Sequence, residues 1–198
     1  MFIKITIEGT SWLLCNRFTD EAAQKASSGS SSAASAASKG TPKEQCEPKL
    51  YHDENGKLMI PGPNVMACIT EGGKFFKAGK SKITTLKSSL IPACVFMQET
   101  VIPLVSKEGW SVDTRAVRNP STGGRFWCHR PCFHDWALTF TVELDEDLIE
   151  RKLFREIVDA AGRRIGLGDF RPACKGPFGR FVVTDWKTND VSLLEAGK

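Results

Sequence analysis

The sequence predicts an α+β fold in βαββαβ order, with a disordered Ser/Ala-rich insertion after the first strand. Two alternating apolar runs carry that expectation, FIKITIE at 2–8 and ALTFTVEL at 137–144, together with a long amphipathic helix that passes through a glycine-rich loop into a last strand. Of 198 residues, 41% are hydrophobic and 25% charged, which excludes collagen, a coiled coil and a wholly disordered chain. A chain of this length buries roughly 70% of the surface it exposes when unfolded, so it needs no covalent staples. One domain over residues 1–187 is expected, with 188–198 as a tail.

The first strand, 2–8, is rich in β-branched residues, and Phe2, Ile3, Ile5 and Ile7 are expected to supply most of its buried face. Trp12 to Leu14 continue it after a break at Gly9. From about 22 to 49 the character changes: Ser27–Ser38 holds seven Ser, four Ala and one Gly, which cannot repay the entropy of ordering a backbone, so a flexible insertion is expected. Asn55-Gly56 marks a tight turn between short strands at about 50–52 and 57–60. Pro61-Gly62-Pro63-Asn64 opens a helix with Val65, Met66, Ile69, Phe75 and Phe76 as apolar positions, weakened by Gly72-Gly73. A second helix is expected at about 80–90 from the spacing of Ile83, Leu86 and Leu90. Strands follow at 95–97, 101–105, 111–118, 125–128 and 136–144. Asp145-Glu146-Asp147 reads as the start of the strongest helix, about 147–165, whose apolar stripe runs from Leu148 and Ile149 to Ile165. The final strand begins at Arg180. This succession is the ferredoxin-like, RRM-like plan shared by many RNA-binding modules.

Seven cysteines at irregular spacing do not form a disulfide framework, and MFIKITIEGTSW lacks the continuous apolar core of a signal peptide. A reducing, cytoplasmic setting is therefore expected. No apolar run approaches the roughly 20 residues of a membrane span, so no membrane partner is expected. Cys128-His129-x-x-Cys132-x-His134 matches no standard zinc spacing, so neither a metal nor any other cofactor is assigned.

The net charge of +4 is mild, but its distribution is not. Residues 71–87, 115–134 and 162–181 carry a balance of +4 each, which leaves the remainder of the chain acidic by eight. Aromatic residues interleave with these cations, the pattern of a surface that neutralises phosphates and stacks on unpaired bases. The residues assigned to that surface are Lys74, Lys77 and Lys80 for phosphate, with Arg125, Arg130, Arg171, Lys175 and Arg180 in the main groove. Trp127 and Phe178 are the stacking candidates. Gly166, Gly168, Gly176 and Gly179 permit positive φ, and their amides are candidates to cradle a phosphate. The loop is neither a Walker loop nor a dinucleotide fingerprint, and Gly166 and Gly168 follow a helix C-terminus, the negative dipole end.

RRIGLGDFRPACKGPFGRFVV resembles the C-terminal glycine-rich signature of the RAMP superfamily, the repeat-associated proteins that form RNA-binding subunits of CRISPR effector complexes. In that family a helix enters a glycine-rich loop and then a strand beginning Gly-aromatic-Gly-Arg, matched by Pro177–Phe181 with Pro in front. IPGPNVMACITEGGKFF is similar to the family's IPGSSL-type helix entry through Ile60, Pro61 and Gly62, and LLCNR after the first strand fits the same plan. The chain departs from the pattern at Pro63, at Asn64, where Ser is usual, and in the Ser/Ala insertion. Lys175–Val183 also resembles the aromatic-glycine octamer of RNA-recognition motifs, with Pro177 and Arg180 out of register.

The RAMP resemblance implies a CRISPR effector backbone-like subunit, serving antiviral defence, that binds single-stranded RNA (or single-stranded DNA) and associates with itself or with other RAMP-type subunits. A thumb-like hairpin of such subunits would lie within 98–128. Two alternatives stay open. One is a metal-independent endoribonuclease, for which His129, His134 and His52 are the acid–base candidates and Asp20 resembles the loop aspartate of cleaving relatives. The other is a protein–protein assembly component on a degenerate RAMP fold.

Overall fold

Period-two alternation decides the central sheet. In the computed structural model, which describes residues 1–19, 40–118 and 123–189, β1 (Phe2–Gly9) buries Ile3, Ile5 and Ile7 completely and turns Lys4 and Glu8 outward. Phe2, expected with the buried set, is only half buried, because an even-numbered residue shares the outward side with Lys4. After β1 come β2 (Leu13–Leu14), α1 (Pro42–Cys46) with a 3₁₀ turn over Glu47–Lys49, β3 (Met59–Pro61) and α2 (Gly62–Gly72), which ends in a 3₁₀ turn over Gly73–Phe75. A small hairpin, β4 (Lys77–Ala78) and β5 (Ser81–Lys82), precedes α3 (Ile91–Cys94), β6 (Val95–Met97), β7 (Val101–Pro103), β8 (Ser111–Arg118), β9 (Arg125–Phe133) and β10 (Ala137–Leu144). Then α4 (Arg151–Ala160), prolonged by a π turn over Ala161–Ile165, and a 3₁₀ turn over Pro172–Cys174 lead to β11 (Phe181–Asn189).

The fold is therefore mixed α+β with several antiparallel sheets. The main one has the order β11-β1-β10-β6, and Ile5 sits between Phe140 and Trp186. In β10, Leu138, Phe140, Val142 and Leu144 are buried, as the alternation requires. Val65, Cys68 and Ile69 of α2 and Phe154, Ile157 and Val158 of α4 cover that same side and close the core. A three-stranded sheet, β2-β9-β8, stands beside it, and β3 pairs with β7. No helix among the described residues is long and apolar enough to cross a membrane. None of the seven cysteines is in a disulfide.

Several expectations change. Of the insertion, residues 22–39 lie outside the described residues, but its second flank is ordered: Thr41 and Glu44 cap α1 reciprocally, and Cys46 is fully buried. The helix expected at 80–90 is a hairpin arm and a loop. Thr84 and Thr85 use their hydroxyls locally, Thr84 donating to the Thr70 carbonyl at 2.7 Å and Thr85 accepting from the Lys87 and Ser88 amides at 3.2 and 3.1 Å, which competes with helix formation. Leu86 is fully exposed. α4 starts later than expected because Asp145 accepts the Asp147 amide in a tight turn, leaving Leu148 46% exposed. The Asn55-Gly56 turn is present, closed by Asp53 Oδ1 accepting from the Asn55 and Lys57 amides, but its arms meet only at the His52–Leu58 bridge. β9 runs on to Phe133 and β11 to Asn189; the residues beyond 189 lie outside the described set.

Gly72 does not weaken its helix so much as allow it to pack. A Cβ there would lie 2.8 Å from the Ile157 carbonyl oxygen and 2.9 Å from the Ala161 Cβ, so α2 and α4 meet at this residue. The burial pattern has a direct test in urea unfolding. Ile5→Ala is expected to cost about 2–5 kcal/mol, whereas Leu86→Ala is expected to leave the midpoint unchanged; a large loss at Leu86 would contradict the loop.

Candidate functional site

The glycine-rich loop is built around one charged pair. Arg130 on β9 is buried, and its Nε donates to Asp169 Oδ2 at 2.5 Å. The same carboxylate accepts from Asn16 Nδ2 at 3.1 Å and, through Oδ1, from the Phe170 amide at 2.8 Å. The Arg130 Nη1 is buried with no hydrogen-bond partner. This removes Arg130 from the expected groove: its charge is committed to an internal carboxylate and to positioning the loop, so it does not meet a phosphate.

The loop glycines also have a different job from the one expected. A Cβ at Gly168 would lie 2.4 Å from the Leu14 carbonyl oxygen, and one at Gly179 only 1.8 Å from that of Leu167. Gly166 and Gly176 are crowded in the same way, by Pro172 and by the Phe170 carbonyl. The amides of Gly166, Gly176 and Gly179 donate to the carbonyls of Ala161, Arg171 and Trp12. These glycines let the chain fold tightly on itself, and three of their four amides are consumed inside the protein rather than offered to a phosphate.

Phe178 is likewise withdrawn as a stacking candidate. It is 8% exposed, Trp12 lies 6.0 Å away with planes at 12°, and the Arg115 guanidinium sits 4.8 Å from its ring. Arg115 is itself held by Asp113 at 3.0 Å. Trp127, by contrast, is 68% exposed near the end of the β8–β9 hairpin, the one long hairpin within the range expected for a thumb. Register separates the arginines of this hairpin. Arg130 and Arg115 share the side that touches the glycine-rich loop, while Arg125, Trp127 and His129 share the other with Arg118 and Thr114. The second basic segment therefore does not join the other two in one trough.

The first and third segments do come together. Between α2 and the loop lies a cleft of about 280 Å³, lined by Asn16, Tyr51, Asn64, Ala67, Glu71 and Arg171 among others. Arg171 is half buried and donates to the Gly168 carbonyl at 3.1 Å. At the cleft's far end Glu71 pairs with Lys74 at 3.3 Å, and Lys74 in turn borders an open groove of about 490 Å³ lined by Lys82, Thr85, Leu86 and Lys87. Arg164 lies 4.7 Å above the half-exposed Phe75 ring next to them. Lys77 and Lys80 are exposed on the β4–β5 hairpin, where Lys77 sits directly opposite Lys82. Like charges in that relation repel, and an anion between them relieves the repulsion. Lys175 and Arg180 are exposed on the loop; Arg180 leaves the same knot as Arg171, since Gly179 and Arg171 both abut Gly166.

Two thiols line the cleft, and burial disfavours the thiolate form of both. Burial pushes Cys15 up to about 12, aided by nearby Cys132, and burial does the same to Cys68, against the pull of the Arg171 charge. His129 and His134 do not share a site. His129 Nδ1 pairs with the Thr114 hydroxyl at 2.8 Å, and His134 Nε2 with that of Ser111 at 3.1 Å, on opposite sides of β8. His134 is also stacked on Trp12 at 4.5 Å. Asp20 lies outside the described residues. No group of three or more His, Cys, Asp and Glu side chains with metal-holding geometry occurs among the described residues.

The outer side of the main sheet is polar at its centre. Its centre is Lys4, Thr6, Thr139 and Thr141, with Thr6 and Thr139 bonding each other at 3.0 Å, and its rings, half-buried Phe2 and exposed Phe96, lie to either side of Glu143 toward one end. Sequence reading missed Asn16, Tyr51, Asn64 and Glu71 as cleft residues; a polar residue directly after an apolar strand, and another at a helix entry, were the available signals. No protein-family model matches the chain, and no curated protein matches its sequence. The ion pair has a clear test. Asp169→Ala strands a buried guanidinium and is expected to cost about 3–5 kcal/mol in urea unfolding. The double variant with Arg130→Met is expected to recover most of that loss; a single variant as stable as the parent would show the pair to be incidental.

Proposed function

We propose that this protein binds single-stranded RNA, and that it does so along the surface that runs from the α2–loop cleft to the β4–β5 hairpin. The observation that carries this reading is convergence. Two basic segments about 90 residues apart in the chain, 71–87 and 162–181, come close across α2: Arg171 lines the cleft, Lys74, Lys82 and Lys87 line the neighbouring groove, and Arg164 covers the Phe75 ring. Ammonium and guanidinium groups there neutralise successive phosphates, releasing condensed counterions. Exposed Trp127 and Phe126 on the β8–β9 hairpin supply rings for unpaired bases outside this track.

A ferredoxin-like βαββαβ core is part of the proposal. It is supported by the order of the main sheet: with β1, β6, β10 and β11 as first to fourth, the sheet runs fourth, first, third, second. α2 falls between the first and second strands and α4 between the third and fourth. Together with GLGDFRPACKGPFGRF, that order favours a RAMP-like module of the CRISPR effector backbone kind, self-associating or partnered with similar subunits in the cytoplasm. The free cysteines suit a reducing compartment. An endoribonuclease draws no support from the two separated histidines.

Fluorescence anisotropy against labelled single-stranded RNA tests the reading. Affinity is expected to fall linearly on a log–log salt plot, and Arg171→Ala with Lys82→Ala is expected to flatten the slope by about 1.4 and weaken every sequence alike. An unchanged slope in that double variant would remove this surface from contention.

A further inference from the structure

We propose that the cleft between α2 and the glycine-rich loop is a base pocket, taking one unpaired nucleobase with an exocyclic amino group out of the bound strand. This rests on the RNA-binding reading of the same surface and adds a preference that phosphate contacts alone do not provide.

Size comes first. At about 280 Å³ the cleft falls just below the roughly 300–1,000 Å³ of sites for drug-sized ligands, room for one base with its sugar and no more. Its apolar walls, from Ile60, Ala67 and Leu167, suit the faces of a planar ring. Two of its polar groups have acceptors free. Asn16 spends its Nδ2 on Asp169 and keeps its Oδ1. Glu71 brings a carboxylate only partly engaged by Lys74, at 3.3 Å and with both side chains well exposed. Asn64 and Tyr51 add an amide and a hydroxyl for which no protein hydrogen bond occurs among the described residues.

Charge then sorts the parts of a nucleotide. Asp169 is engaged by Arg130, Asn16 and the Phe170 amide, so Glu71 and Arg171 are the charges the cleft presents, and Lys74 beyond Glu71 favours a phosphate at that end. A base with an amino group donates to the acceptors inside: adenine through N6, cytosine through N4, guanine through N2. Uracil lacks such a group and offers these acceptors only its ring N3–H, while its carbonyl oxygens face them without a hydrogen bond. The Cys15 and Cys68 thiols complete the wall as small apolar groups.

The test compares a uridine dodecamer with the same strand carrying one central adenosine or cytidine, by anisotropy on the full chain. The substituted strands are expected to bind about tenfold more tightly. Ala67→Trp, at an exposed position on α2, fills the cleft and is expected to abolish that difference; Asn64→Ala, also exposed, is expected to reduce it without a packing change. Equal, salt-sensitive binding of all strands would overturn the base pocket and leave the RNA reading standing. Binding of no strand would overturn both. Free adenosine or cytidine monophosphate is expected to compete only weakly, since it lacks the flanking phosphates; tight mononucleotide binding without strand binding would overturn a strand-borne base as the ligand.

Discussion

The pair of buried Arg130 and part-exposed Asp169 is the constraint on which the candidate site depends. It joins β9, in the smaller sheet, to the loop between α4 and β11, in the larger one. A charged pair withdrawn in part from water is tolerated only with good geometry and further hydrogen bonds. Asp169 meets that condition with three donors, from Arg130, Asn16 and the Phe170 amide. The same contacts fix the loop against the segment after β2, which is one wall of the cleft. A basic residue thus contributes to an anion-binding surface by shaping the backbone that presents other cations.

The loop glycines belong to this design. Packed against Leu14 and Leu167 carbonyls, they bring α4, β2 and β11 closer than any side chain permits. Trp12, His134, Phe178 and Arg115 then close the outer side by ring stacking and a cation over a ring face. This packing stands beside lysines on the 3₁₀ turn that follows α2 and on the β4–β5 hairpin. A cleft held by packed glycines and an ion pair, with lysines around it, suits a ligand that has one ordered group on a flexible, charged chain.

Much of the core was legible in the sequence. Ile3, Ile5 and Ile7, and the four buried residues of β10, announce themselves by strict alternation, and Ile60-Pro61-Gly62 marks the entry to α2. The 80–90 segment misled because Ile83, Leu86 and Leu90 keep helical spacing while the intervening Thr and Ser hydroxyls favour turns. Cations were visible as composition, but their fates were not. The carboxylate that claims Arg130 lies 39 residues away in the chain, and the sides of β9 that part Arg130 from Arg125 follow from pairing with β8. The cleft residues were the least visible: Asn16 and Asn64 are isolated polar residues with no period, brought together by the crossing of a loop and a helix.

Photocrosslinking of bound single-stranded RNA, with the modified peptides identified by mass spectrometry, addresses the central claim most directly. Crosslinks are expected on peptides from 62–87 and 163–180, the two sides of the cleft and its basic extension. Crosslinks confined to the outer side of the main sheet, on peptides 2–8 and 137–144, would contradict the account.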